Sequence, residues 1–210
     1  NSTPISWSWL APLLDVMGTE TDWNRGGKWT PMSDEELLYR RALCKGKPYC
    51  FLMNTDFTKF PYEASEKFMK RALAYGMFPG YFSADASTGH YFTRPELYNR
   101  DRPLFKKYLP LCRKVAEAGW EPLTGAASDN EAVLVERFGS VPGACYLTVF
   151  NLSETRQRAG ITLTALPSDK ACRELVNGGE IAWQDKRAAL ELDAGEVRVI
   201  ELREPSAKPK

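Results

Sequence analysis

Histidine is almost missing from this chain: His90 is the only one in 210 residues. The five cysteines, Cys44, Cys50, Cys112, Cys145 and Cys172, form no C-x-x-C pair. Without a second imidazole or a thiol pair there is no zinc-type ligand spacing, so no metal and no cofactor is expected. The odd count also argues against a full disulfide framework, and buried thiols are the expectation. Neither sign of charge is in excess, with 28 Lys+Arg against 27 Asp+Glu. That balance offers nothing to nucleic acid or to an anionic membrane. No apolar run approaches bilayer length. A G-x-S-x-G elbow, a phosphate loop and G-x-G-x-x-G are all absent. So are an initiator Met and a signal peptide; the chain reads as cut at Asn1, with sequence expected upstream.

What is present is apolar material, 43% hydrophobic and 12% aromatic. That suffices for one large domain or two modest ones. Asn1-Ser2-Thr3 and Asn151-Leu152-Ser153 match the glycosylation sequon, a match common by chance.

The stretch Pro48–Gly89 organises the first part. Tyr49–Met53 reads as a strand and ends in the polar loop Asn54–Lys59. An amphipathic helix starts at Pro61, where a missing amide costs nothing. Ala64, Phe68, Ala72 and Tyr75 form its apolar face, while Lys67, Lys70 and Arg71 face water. Met77–Phe82 reads as a second strand, bent by Pro79-Gly80, and ends in the loop Ser83–Gly89. Strand, helix and parallel strand make a βαβ unit, whose chemistry sits in the loops after the strands. Those loops carry Asn54, Asp56, Ser83, Asp85 and His90.

Around this unit, Ile5–Leu14 alternates like a strand, with Trp7 and Trp9 packing inward. Asp15–Thr30 is a long functional loop. Ser33–Cys44 is a helix opened by a Ser33/Glu36 capping box. Asp101–Ala118 is a helix that Pro110 should kink or split. The charged run from Arg94 to Arg102 reads as its salt-bridged entry. Three strand–helix repeats fit a (β/α) architecture, yet three strands cannot close a barrel. Their buried faces need five more strands or a partner chain.

Beyond Glu121 the pattern changes to short alternating runs: Ala132–Phe138, Cys145–Phe150, Ile161–Leu166, Arg173–Val176, Glu180–Trp183, Ala189–Leu192 and Val197–Leu202. Such spacing predicts an antiparallel β-sandwich. Asn177-Gly178-Gly179 is the best hairpin signal. The expected division is a partial (β/α) barrel over 1–120, a β-sandwich over 121–203 and a disordered tail over 204–210. The fold class is therefore α/β plus all-β.

The motifs WLAPLLDVMGTE, FLMNTDF and GYFSADASTGHYF, followed by YLTVFNLSE and LELDAGEVRVIEL, resemble the C-terminal portion of α-galactosidase-like barrel glycoside hydrolases. The resemblance implies the last three βα units of a TIM-type barrel running into a β-sandwich. It makes Ile5–Leu14, Tyr49–Met53 and Met77–Phe82 strands six, seven and eight. It places a nucleophile after strand four, outside this chain. It carries the acid/base onto Asp15 or Glu20.

Glycoside hydrolysis needs two carboxyl groups across the scissile bond. Asp15, Glu20, Asp56 and Asp85 all follow predicted strands and would share one rim. For each, the plain alternative is a loop cap or a solvated charge. Hydrogen bonding to sugar hydroxyls is the expected work of Asn54, Asp56 and Asp85. Trp23 and Trp29, beside Gly26-Gly27, could offer indole platforms to a pyranose or pack in a core. His90 could bind a hydroxyl or make a structural hydrogen bond. The competing reading is a non-catalytic module, in which Tyr146, Phe150 and Trp183 form an exposed glycan-binding row, or point inward and make the sandwich a support. The expected partners are a carbohydrate and the missing N-terminal part of the barrel or a partner chain.

Overall fold

The computed structural model describes residues 5–20, 29–87, 89–140, 143–166 and 172–202, with backbone alone at 5–8. The expected disordered tail and Trp23 lie outside these residues. The chain divides into two compact units, Asn1–Ala116 and Glu117–Lys210. No helix among the described residues is long and apolar enough to cross a membrane.

The first unit is built on three parallel strands, β1 (Met17–Thr19), β2 (Tyr49–Met53) and β3 (Phe78–Tyr81), in that spatial order. Alternation splits their side chains between two faces. Phe51 and Met53 share a face with their register partners Pro79 and Tyr81. Helix α2 (Tyr62–Ala74) covers that face: Phe68 stacks on Phe51 with ring centroids 4.8 Å apart. Both rings are fully buried, each contributing about 1.5–3 kcal/mol of apolar transfer. Gly18, Cys50, Leu52, Phe78 and Gly80 fall on the opposite face. At Gly80 a Cβ would sit 2.5 Å from Leu52 Cδ2, so the leucine side chain fills the space that glycine leaves there.

The segment Ile5–Leu13 is a 3-10 helix, not the expected strand, and the first strand starts at Met17. Alternating Trp residues cannot make a strand unless an edge accepts them, and Pro12 lacks a ladder donor. Met17-Gly18-Thr19 fits the β2 edge because Gly18 lets the backbones close; a Cβ would lie 3.1 Å from the Cys50 carbonyl. Trp9 is 68% exposed rather than packed inside a barrel. Lys47 ties the 3-10 segment down by donating to the Ala11 and Leu14 carbonyls.

Helix α1 (Asp34–Leu43) starts where the capping signal placed it, with Ser33 Oγ accepting from the Glu36 amide at 3.2 Å. The box is only half made. The Glu36 carboxylate instead takes the Arg40 guanidinium, at 2.8 and 3.1 Å. Arg71, expected in water, is buried: it donates to Asp34 at 2.7 Å, and Tyr75 Oη donates to the same oxygen at 2.6 Å. One acidic side chain in the first turn of α1 thus ties α2 to it. Helix α3 (Pro95–Ala118) begins six residues before the expected start and runs unbroken through Pro103 and Pro110. Leu104, Tyr108, Cys112 and Val115 are buried along one side, so packing holds the helix across its missing donors.

The second unit is an antiparallel β-sandwich. One sheet orders β4 (Trp120–Glu121), β6 (Val133–Gly139), β7 (Cys145–Asn151), β11 (Val197–Leu202) and β9 (Cys172–Glu174) as β4-β6-β7-β11-β9. The other orders β5 (Ala126–Ser128), β8 (Gln157–Leu163) and β10 (Arg187–Leu192) as β10-β8-β5. Cys145, Leu147 and Val149 point into the core with Ile161, Leu163 and Ile200. The expected strand Glu180–Trp183 is not one; only Glu180 bridges Arg173. β9 pairs β11 instead. The Glu174 carboxylate takes over the turn, accepting from the Val176 and Asn177 amides at 2.7 and 2.8 Å. Gly139 closes the β6–β7 hairpin at φ +78°, and a Cβ would lie 2.0 Å from the Ala144 carbonyl oxygen. Tyr146 and Phe150 are buried on the sheet face away from this core, and Trp183 is half-buried. They form no exposed row.

Glu136 lies on that same outer face, 8% exposed, with Trp120 Nε1 donating to it at 2.5 Å. Burial pushes its carboxyl above the ordinary value of 4.5, against the indole hydrogen bond that lowers it. The folded state therefore holds this proton more tightly than the unfolded chain, and its stability falls as pH rises from about 4.5 towards the raised value. Glu136→Gln keeps an acceptor for Trp120 and removes the charge. It is expected to raise the melting temperature at pH 8 and leave it unchanged at pH 4. A lower melting temperature at pH 8 would contradict this account.

Candidate functional site

Because β1, β2 and β3 run parallel, their carboxyl ends lie at one end of the sheet, and the loops after β2 and β3 meet there. Main-chain bonds join the loops after β2 and β3. The Phe82 amide donates to the Met53 carbonyl at 3.2 Å, and the Phe57 amide to the Ala84 carbonyl at 2.9 Å. Asp56 bridges Asp85, and Ser83 bridges His90. Five of the residues singled out in the sequence, Asn54, Asp56, Ser83, Asp85 and His90, are thus brought together.

Their side chains differ in what they can do. Asn54 is fully buried; its Oδ1 accepts from Ser83 Oγ at 2.7 Å, and its Nδ2 has no partner among the described residues. Asp56 is nearly buried, with Oδ1 accepting from the Thr58 amide and hydroxyl and Oδ2 2.9 Å from Lys59 Nζ. Those Thr58 bonds, and then Lys59, hold its carboxyl below the usual carboxylate range. Asp56 is therefore an anion and an acceptor, not a proton donor. Asp85 is exposed and accepts from the Ser87 amide and hydroxyl at 3.1 and 2.6 Å. This closes a turn over Ala86, whose φ of +58° is unusual for a residue with a Cβ. His90 is exposed, between Phe82 and Phe92, with ring centroids 6.1 and 6.4 Å away. Those two rings are 43% and 56% exposed.

The other predicted positions divide. Glu20 directly follows β1 and is half-buried, so it stands on the same edge. Asp15 precedes β1, is exposed, and therefore sits at the amino end of the sheet. The expectation that it shares the rim is overturned, because the strand begins after it rather than ending before it. Trp29 is half-buried with its edge against Phe68 at 5.8 Å, which is a packing role.

Two residues that sequence reasoning passed over as a charged helix entry hold the site in place. Asp101 is fully buried. Its carboxylate accepts from Arg100 Nε and Nη2 at 2.7 and 2.8 Å and from Tyr91 Oη at 2.8 Å. Arg100 also donates to the Phe57 carbonyl at 3.2 Å. One carboxylate on α3 thereby anchors both loops: Tyr91 next to His90, and Phe57 next to Asp56. The pair raises the Arg100 pKa, chiefly through the Asp101 hydrogen bond. Burial, then Asp101, keeps Tyr91 protonated. No group of metal-ligating side chains occurs among the described residues.

No family model matches the sequence, and no curated protein matches it. Solved structures do. A GH27 β-L-arabinopyranosidase from Geobacillus stearothermophilus matches with TM-score 0.55 at 14% identity, over 99% of this chain and 49% of that one. An α-amylase from Geobacillus thermoleovorans, complexed with acarbose, gives 0.53 at 15% identity, over 82% and 43%. AmyP bound to maltotriose gives 0.56 at 10% identity, over 82% and 44%. The chain thus spans about half the length of the solved structures it matches, and over that span its fold is one that glycoside hydrolases share.

Proposed function

We propose that these 210 residues are the C-terminal portion of a carbohydrate-active glycoside hydrolase, the last three βα units of its barrel and a β-sandwich. It cleaves O-glycosidic bonds with paired carboxylates, one of them contributed from upstream. The observation that carries this reading is the convergence of Asn54, Asp56, Ser83, Asp85 and His90 on the carboxyl edge of a parallel sheet. In barrel enzymes that edge is where catalysis happens.

Within it, Glu20 is the acid/base candidate, since Asp56 is committed to Thr58 and Lys59 and Asp15 stands at the other end. Asn54, Asp56, Asp85 and His90 are hydroxyl-binding groups, with Phe82 and Phe92 as exposed ring faces beside His90. The sandwich is a support: Tyr146 and Phe150 are buried, which disfavours a glycan-binding face on that sheet. A non-catalytic module would bind glycans through the 210 residues alone, without hydrolysis by any longer chain.

The test is hydrolysis of aryl glycosides by the chain carrying the residues encoded ahead of Asn1. Glu20→Gln is expected to lower kcat about 10²–10⁴-fold, the range of a general acid/base. The loss should shrink for substrates whose leaving groups need no proton. Unchanged kcat in Glu20→Gln would remove Glu20 from the chemistry, and no hydrolysis by the longer chain would favour the binding module.

A further inference from the structure

Of the seven asparagines in the chain, Asn177 alone is followed by glycine. The pair lies in the turn after β9, the outermost strand of its sheet, laddered to β11. Asn177, Gly178 and Gly179 are all exposed. Gly178 takes φ +82°, and a Cβ there would meet nothing within 4 Å. The Gly178 amide donates to no group among the described residues, whereas the Asn177 amide is held by Glu174 at 2.8 Å. The Asn177 side chain enters a charged cluster, with Nδ2 donating to Glu196 Oε1 at 3.1 Å. Arg198 spans the same cluster, 2.7 Å from Glu196 and 3.2 Å from Glu174. Two carboxylates thus share one guanidinium, and Asn177 adds a donor to each of them.

We propose that Asn177 is a site of spontaneous covalent modification, at which the side-chain amide is lost and β9 is released from its sheet. The Gly178 nitrogen bonds to Asn177 Cγ, the Cγ–Nδ2 bond breaks, and ammonia leaves with the proton that the Gly178 nitrogen gives up. Water then opens the resulting succinimide at one of its two carbonyls, giving aspartate or isoaspartate. Water is the only reagent consumed, and nothing is oxidised or reduced. Attack requires the following nitrogen to swing towards Cγ, which glycine, with no Cβ in the way, allows. Nothing in this step draws on glycosidase activity. The product reverses the electrostatics of the turn. The donor 3.1 Å from Glu196 Oε1 becomes an oxygen, and a third carboxylate joins two that one guanidinium serves. Isoaspartate also adds a methylene to the main chain, inside a turn that the Glu174 amide closes on the Gly179 carbonyl at 2.9 Å. β9 is held on one side by three residue pairs to β11, so it is the strand that such a change frees.

Cys172, a buried thiol on β9, reports on the release. The 210-residue chain is held in warm buffer at pH 8, and samples are taken over time for peptide mapping by mass spectrometry. Loss of the Asn177 amide is expected, with isoaspartate detected by an isoaspartate-specific methyltransferase. Asn99, exposed but followed by arginine, should stay intact. Alkylation of Cys172 by iodoacetamide should rise about tenfold in the converted fraction, as for an edge strand that opens locally. Asn177→Asp should show that faster alkylation at once, without ageing. Asn177→Gln, whose longer side chain would have to close a six-membered ring, should keep its amide and its slow alkylation throughout. An Asn177 amide that survives in the folded chain after the free peptide Leu175–Glu180 has converted would overturn the proposal. So would conversion that leaves Cys172 alkylation unchanged, since β9 would then not be released.

Discussion

Asp101→Ala should cost the chain about 3 kcal/mol, the lower end of the range for breaking a buried ion pair, because the Arg100 left behind is 28% exposed. The partly exposed Arg100 guanidinium would lose two short bonds, and the Tyr91 hydroxyl would lose one that is buried. Both loops of the candidate site would be released together, since Tyr91 and Phe57 hang from the same carboxylate. The expected signature is a large fall in melting temperature with faster hydrogen exchange at both loops. Replacing Arg100 by Met and Asp101 by Leu together should recover part of the loss, because no charge is then left alone. If Asp101→Ala changes stability by less than about 0.5 kcal/mol, as at an ordinary surface position, the network is not an anchor.

The second large effect belongs to Asn151, the centre of the sandwich's turns. Its side chain is fully buried. Nδ2 donates to the Thr155 and Asp193 carbonyls at 2.8 Å and to Leu192 at 3.3 Å, while Oδ1 accepts from the Ser153 amide and hydroxyl at 2.9 and 2.8 Å. Asn151→Asp keeps the shape and turns an oxygen towards three carbonyl oxygens. With each buried unsatisfied group worth about 1–3 kcal/mol, the substitution should rival the Asp101 change. Urea unfolding of the two proteins measures it. The same geometry bears on the Asn-Leu-Ser sequon, because a glycan on Nδ2 would break bonds that hold both turns. Intact-mass spectra of chain produced in a glycosylating host should show Asn151 bare; a glycan there in folded protein would refute the arrangement.

Much of the first unit was legible because its signals are local. Ser33 marked the start of α1, Pro61 that of α2, and the apolar run of β2 led straight into its polar loop. That the loops after β2 and β3 would lie at one end of the sheet followed from chain direction alone. The first strand was misplaced because two alternating tryptophans imitate a strand, whereas pairing depended on Gly18 fitting against Cys50 some thirty residues away. Arg71 was read as solvated because its partner, Asp34, sits on another helix. α3 was expected to break at Pro110 because a proline's local cost is visible in sequence and the packing that overcomes it is not. In the second unit Asn177–Gly179 was read as a hairpin turn; the chain does return there, with Glu180 bridging Arg173, but no second strand forms because β9 takes β11 as its ladder partner. Asp101 was hidden among neighbouring charges that reach water.

Gly139 leaves evolution no room for drift. The hairpin it closes already bends its backbone into the mirror-image region, and the space beside its Cα holds one hydrogen and a carbonyl oxygen. Every single-nucleotide change that alters this residue adds at least a methyl group where none can be seated. The β6–β7 corner can therefore diverge only by lengthening the turn that follows, so insertions rather than substitutions are the route by which this end of the sandwich would acquire variety.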